Sequence, residues 1–392
     1  MTALRTQVVD GANGYIGSNL IHHLVRRGHR VVGLARHDEA AVRSIVETAV
    51  IGDVEPDPFD HSLLEVVPYT LLDEQLSLDD EALARVFAEP CDFWHVAASL
   101  KYQPGNSGEL MAVNVDGSRN TLECVSRHAP AGSRYFLVGT AYSCGLDDDV
   151  VREEWHEDAP PSAFRNYYEY SKRLGELVFR DYLDRGAVTG ALLRLGPIVG
   201  DSRSLRTSNS YGLYQFLDRI SRIAKRYPGE RVRIVGHPQA ALNFLPVDHC
   251  IRWMAELADN GVETLEPPIV HILDSGAVPV PEAFTHLNKR IGLLLELIGE
   301  PGEGDEPLTQ LENLLRAGMA FTGRYVDRPG MFDDSNFSKL LGERPTQVMT
   351  MELLDDLMGW FLNDMEENRE RYADRRSVRM EQEVAAMAAR KG

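Results

Sequence analysis

An α/β fold built on a doubly wound, mostly parallel sheet is the class this sequence predicts, on three observations. Strand-like and helix-like stretches alternate over residues 1–270. The run Phe93-Trp-His-Val-Ala-Ala98 is apolar almost throughout, as for a strand covered on both faces. A glycine-rich turn, Gly11-Ala-Asn-Gly14-Tyr-Ile-Gly17, stands between the first apolar run and the first helical stretch.

The first unit can be justified residue by residue. Val8 and Val9 lead into the turn as a strand. Ile16, Leu20, Ile21, Leu24 and Val25 then share one helix face, and Gly28 suits the C-cap. Val31-Val-Gly-Leu34 completes a strand–turn–helix–strand unit. Glycines suit such a turn because the backbone must bend sharply and approach a pyrophosphate, leaving N–H groups at a helix N-terminus to hold the anion. Gly11, Asn13, Gly14, Tyr15, Ile16 and Gly17 are therefore expected at a dinucleotide.

Further along, residues 37–62 predict a short helix and a loop, 64–67 a strand, 79–87 a helix and 93–98 a strand. A helix is expected over 108–127, a strand over 135–138, an acidic loop over 146–162, a helix over 164–183 and a strand over 189–195. After residue 200 the texture changes. A polar loop (201–210), a helix (213–226), a short strand (232–235), a helix (248–257) and a strand (270–273) precede a region expected to be mainly helical from residue 282. The expected division is residues 1–275 for the dinucleotide and 276–392 for a mostly helical substrate region, with 200–245 contributing to that smaller lobe. Leu353, Leu354, Leu357, Met358 and Phe361 make a helix stripe suited to core or dimer packing, or to a lipid-facing groove. The charged stretch from residue 363 suits a solvated or dimer-packed helix.

Bulk properties narrow the function. The chain has 392 residues, 43% of them hydrophobic, enough for a substantial core. Lys+Arg 41 against Asp+Glu 60 gives net −19, which disfavours nucleic acid and anionic membrane surfaces as partners. No apolar run is long enough for a membrane span, and no secretory pattern opens the chain. Cys91, Cys124, Cys144 and Cys250 form no CxxC pair, so neither disulfides nor a metal site are expected. A cytoplasmic enzyme is the expectation.

The chemistry lies in Tyr168-Glu-Tyr-Ser-Lys172. Tyrosine and lysine at i and i+4 share one helix face. An ammonium held near a phenol favours the phenolate and draws its pKa toward the useful range. With the glycine turn upstream, this pattern resembles the extended short-chain dehydrogenases/reductases over about residues 5–275, which implies a Rossmann-type sheet. His95-Val-Ala97-Ala98 is similar to that superfamily's cofactor-side turn, Asn114-Val-Asp-Gly117 to its asparagine motif, and Val138-Gly-Thr140-Ala-Tyr-Ser143 to its catalytic strand end. The resemblance implies that Thr140 hydrogen-bonds the reacting oxygen, with Ser143 as the alternative, and that Tyr168 exchanges its proton. It implies that Lys172 tunes Tyr168 and holds the nicotinamide ribose, and that Asn114 orders a relay water.

Arg36 and His37 end the second strand where NAD enzymes usually carry a carboxylate, so NADP(H) is expected ahead of NAD(H), with Asp38 the residue that keeps NAD open. Where relatives often have Gly-Asp-Leu after the third strand, this chain has Tyr69-Thr70-Leu71. Three further segments resemble the thioester reductase and fatty acyl-CoA reductase branch: Asn166 to Lys172 with Glu176, Ile198 to Ser202, and Leu242 to Asp248. That branch implies NADPH-dependent hydride transfer to an acyl thioester, bound to CoA or to a carrier protein supplied in trans, or to the derived aldehyde, with a homodimer as a further possibility. Reduction of a small ketone or aldehyde stays open. A sugar-nucleotide epimerase or dehydratase is the second reading, with Arg203, Arg206 and Arg222 as diphosphate ligands. A non-catalytic dinucleotide sensor is the third, disfavoured because sensing has no use for the Tyr168 and Lys172 pair.

Overall fold

The computed structural model describes residues 5–36, 38–51, 59–101, 104–146, 150–274, 276–318, 323–326, 331–342, 347–370 and 372. Its centre is a seven-stranded parallel sheet made of β1 (Thr6–Val9), β2 (Val31–Ala35), β3 (Leu64–Pro68), β4 (Cys91–His95), β5 (Arg134–Thr140), β6 (Gly190–Leu195) and β7 (Ile269–Ile272). The strand order 3-2-1-4-5-6-7 reverses between β1 and β4, as in a doubly wound Rossmann sheet. Every residue of β1, β2, β4, β6 and β7 is buried, because helices cover both faces. The crevice beyond the carboxyl ends of β1 and β4 is where such sheets bind ligands.

Two boundaries differ from expectation for physical reasons. β4 runs from Cys91 to His95, so Val96–Ala98 leave the ladder: Asp10 at the end of β1 takes the N–H groups of Val96 and Ala97 at 2.6 and 2.7 Å in place of a strand partner. The helix expected from 164 begins at Tyr167, where Asn166 caps Glu169 N at 3.0 Å. The expected helix over 108–127 is present but contains one π turn, Ala112–Asp116, between Ser107–Met111 and Gly117–His128.

A second hydrophobic core lies beside the sheet. Tyr214, Leu217 and Ile220 of the helix Leu213–Arg226 pack there with Phe284, Leu287, Leu357 and Phe361. Most of the apolar stripe on Met351–Glu367 is spent on this packing. The region after 282 is not purely helical. Leu294–Ile298 forms a strand parallel to Arg231–Val235, a pairing between segments far apart in sequence. Phe337, on Ser335–Leu341, returns to the core of the Rossmann sheet. Among the described residues no helix is long and apolar enough to cross a membrane. The charged stretch beyond residue 372 lies outside the described residues.

One buried ion pair fastens the helix Tyr167–Asp184 to the sheet. Arg194 of β6 donates from Nη2 to Glu176 Oε2 at 2.8 Å, and both side chains are at most 2% exposed. Ser143 Oγ donates to Glu176 Oε1 at 2.6 Å. Glu176→Ala would leave an unpaired guanidinium in the core. We expect a loss of about 3–5 kcal/mol, read as a lower urea midpoint, with Glu176→Gln losing less.

Candidate active site

One cavity of ≈ 1040 Å³ runs along the carboxyl ends of the strands and into the second core. Gly11, Asn13, Gly14, Tyr15 and Ile16 line one part, with Arg36, Ala97 and Ala98. Thr140, Tyr168 and Lys172 line the same cavity. The structure thus brings the glycine turn and the Tyr/Lys/Thr set to one space. Gly17 packs behind the turn, Asn114 is buried off the wall, and His37 lies outside the described residues.

The turn fits a dinucleotide on its own geometry. Gly11 has φ +62°, and a Cβ there would meet Ala97 at 3.0 Å. A Cβ on Gly17 would lie 2.3 Å from Gly11 O, so only glycine lets the helix start this close under the turn. The helix Tyr15–Arg26 has no side-chain cap at Gly14 and no acid in its first turn, leaving its N–H groups and dipole for an anion. Arg36 lines the cavity. Asp38 does not, because its carboxylate caps the next helix, accepting from Ala41 N at 3.3 Å. Tyr69, standing in the expected Gly-Asp-Leu position, accepts from Gly11 N at 3.4 Å.

The end of β5 and the helix Tyr167–Asp184 meet through backbone and buried polar groups. Lys172 Nζ donates to Val138 O at 2.8 Å. Burial lowers the Lys172 pKa to about 8, against the pull of the Glu176 and Asp10 carboxylates. Burial raises the Tyr168 pKa, and Glu169 and Glu176 raise it further. One Lys172 donor is taken by the Val138 carbonyl, and burial dominates the Tyr168 pKa. Thr140 Oγ1 lines the cavity and, among the described contacts, accepts only a long bond from Tyr142 N, 3.3 Å, whereas Ser143 Oγ is tied to Glu176 and is off the wall. Asn114 is tied as well. Its Oδ1 accepts from Ser99 N at 2.8 Å and its Nδ2 donates to Ser171 Oγ at 2.8 Å, so its side chain joins the cofactor-side loop to the Tyr168 helix.

Asp10 and Tyr325 join the site without having been expected there, and His95 has a partner its motif did not announce. Asp10 and His95 form a fully buried pair at the crevice, and His95 Nε2 lies 3.0 Å from Ser118 Oγ. The strand-end aspartate before the glycine turn was the available signal. Tyr325 also lines the cavity, from a segment with no motif to mark it. Arg203, Arg206 and Arg222 do not line it; Arg203 pairs with Asp201 and Arg222 with Asp218. The segments around Ser202 and Asp248 hold each other, with Ser202 N and Oγ donating to the Asp248 carboxylate at 2.9 and 2.7 Å.

A crevice that offers a glycine cradle at a helix N-terminus and a tyrosine–lysine pair at its other end defines an NAD(P)-dependent oxidoreductase of the short-chain dehydrogenase/reductase class. The chain belongs to the NAD-binding family described as Male sterility protein, whose family model matches residues 9–254, and with it to the extended, thioester reductase-like branch of that class. Among solved structures, the terminal R domain from the myxalamid PKS-NRPS biosynthetic pathway has the same fold, with TM-score 0.71, 19% identity, and 94% of this chain and 92% of that one covered. A Candida albicans protein named as an NADPH-dependent methylglyoxal reductase is 22% identical over 209 residues, 50% of this chain, which spans 59% of that relative's length. A dTDP-4-dehydro-6-deoxy-D-allose reductase of Streptomyces sp is 23% identical over 307 residues, covering 76% of this chain and 82% of that protein.

The lowered lysine gives a pH signature in the cofactor-free protein. Between about pH 8 and the ordinary lysine value of ~10.4, the unfolded chain binds a proton that folded Lys172 does not. Stability therefore gains a rising contribution with pH across that window and none below about 8. Urea midpoints measured across the window are expected to lose this component in Lys172→Met.

Proposed function

We propose that this protein is an NADPH-dependent reductase of an acyl thioester with an apolar acyl group, or of the aldehyde derived from it. The observation that carries the reading is the character of the cavity beyond the catalytic set. There the wall is made by the second core, including Phe216, Leu242, Phe244, Phe284, Leu354 and Met358. Among the described wall residues the only cations are Arg36, Lys101 and Lys172, and Lys101 is paired with Glu109 at 2.9 Å. A nucleotide-sugar diphosphate needs cationic ligands on that side, and an acyl chain needs an apolar lining.

NADPH, when bound, supplies the hydride. Thr140 Oγ1 hydrogen-bonds the carbonyl oxygen, and Tyr168 Oη gives that oxygen its proton. The Tyr168 phenol carries the proton this step uses, and its raised pKa is a cost that the site must offset when the proton leaves. Lys172, in its ammonium form below about pH 8, stabilises the phenolate left behind. Apolar side chains of the second core exclude water from the acyl group. With a thioester, the protonated adduct then releases the thiol and leaves the aldehyde.

NADPH oxidation followed with an acyl-CoA and with the matching aldehyde tests the reading. Turnover of both is expected. Turnover of the aldehyde alone sinks the thioester assignment, and interconversion of a nucleotide sugar on tightly held NAD sinks the reductase. Tyr168→Phe is expected to cut turnover by about 10²–10⁴-fold. In steady-state kinetics, Arg36→Ala is expected to raise the KM for NADPH about tenfold, the scale of one charge-assisted phosphate contact, and to leave that for NADH unchanged.

A further inference from the structure

Tyr325 comes from the short turn Gly323–Val326, whose Val326 packs in the second core, yet it touches the catalytic helix. Its hydroxyl accepts from Asn166 Nδ2 at 3.4 Å and stands beside the Glu169 carboxyl; burial, and then that charge, raise the tyrosine's pKa. Asn166 is the N-cap of the helix Tyr167–Asp184, so one side chain caps the helix with its oxygen and holds Tyr325 with its nitrogen. Glu169 is fully buried and directly follows Tyr168; its Oε2 accepts from Arg165 N and Nη1, at 3.2 and 3.3 Å. The Tyr325 ring meets Tyr142 edge-on at 4.7 Å between centroids, with the Arg165 guanidinium 5.4 Å from its own centroid. Tyr142 N in turn donates to Thr140 Oγ1. Tyr325 thus reaches both members of the proton-handling set by separate routes, and its ring lines the same cavity.

We propose that Tyr325 is a positioning residue through which the second lobe sets the catalytic geometry. Its ring closes the cavity wall beside Thr140 and Tyr142. Its hydroxyl, accepting from Asn166 Nδ2 beside the Glu169 carboxyl, fixes the first turn of the helix that carries Tyr168. The kinetic readout of this role rests on the reductase reading; the structural readout does not.

The test uses the full chain. Tyr325→Phe keeps the ring and removes the tie. We expect NADPH affinity within twofold of wild type, the carbonyl KM within threefold, and kcat down about tenfold, the scale of one buried hydrogen-bonding group lost. Asn166→Ser keeps a capping oxygen and removes the nitrogen donor, and is expected to reproduce that fall. The Asn166→Ser/Tyr325→Phe double variant is expected to fall no further than either single one, because both break one interaction. Hydrogen exchange read by mass spectrometry is expected to quicken at residues 167–170 in Tyr325→Phe and to stay unchanged over 6–35. If the wild type reduces no carbonyl, the reductase reading fails, while faster exchange still upholds the tie. Unchanged exchange overturns the proposal whatever the assay gives, as does wild-type kcat in Tyr325→Phe or a double variant whose losses multiply.

Discussion

The seating of the helix Tyr167–Asp184 on the sheet is the constraint on which the active site depends. Lys172, reaching the Val138 carbonyl, and Glu176, holding Arg194 and Ser143, fix one face of that helix to β5 and β6. The Tyr168 side chain is placed by that docking, while its carbonyl accepts from Ser171 Oγ at 2.8 Å. Close approach on the neighbouring side needs Gly175, where a Cβ would meet Asn114 O at 2.7 Å. The π turn that contains Asn114 lies at this approach, and the Asn114 side chain links Ser99 on the cofactor side to Ser171 on the catalytic helix. The glycine turn and the helix Tyr167–Asp184 are therefore parts of one polar framework. Asp10 ties β1 to the turn after β4, and Asn114 ties the loop that follows to the helix.

Much of this was legible because it is local. The Gly11–Gly14–Gly17 spacing encodes a turn, a close approach and an open helix N-terminus within seven residues. The Tyr168/Lys172 spacing encodes one helix face. Mostly apolar stretches were sufficient to place the seven strands of the sheet. What stayed hidden depends on pairing across the chain. The parallel ladder between Arg231–Val235 and Leu294–Ile298 has no turn signal to announce it, since parallel partners are joined by long crossovers. Tyr325 sits in a four-residue turn whose meaning comes only from the helix it meets. Glu176 was visible as part of a motif, but its partner Arg194 lies on another strand, so its structural use could not be read from spacing.

The cavity divides by chemistry. Toward the glycine turn it offers backbone N–H groups at a helix N-terminus and Arg36, groups that suit phosphate. Beyond Tyr168 it offers aliphatic and aromatic side chains that are at the same time core residues of the second lobe. Leu354 and Met358 make the point: they belong to the helix stripe that packs the lobe, and they also face the cavity. Packing and substrate selection are then not separable on this side. A change of volume at either residue alters both the core and the space left for an acyl group. The same coupling explains why the sequence stripe suited both a packing face and a groove.

Electrostatics gives the site a direction. The same burial acts oppositely on an acid and a base, raising the Tyr168 pKa and lowering that of Lys172 to about 8. The carboxylates near the pair do not change that sense for the phenol, because Glu169 and Glu176 disfavour its anion. A phenol so held keeps its proton at neutral pH, which is the state required to protonate a carbonyl oxygen as it accepts a hydride. Oxidation of an alcohol would begin from the phenolate, the form this environment opposes. An ammonium retained below about pH 8 favours that phenolate only once the proton has gone. The arrangement of buried groups thus keeps the phenol neutral and the lysine poised to lose its proton near pH 8.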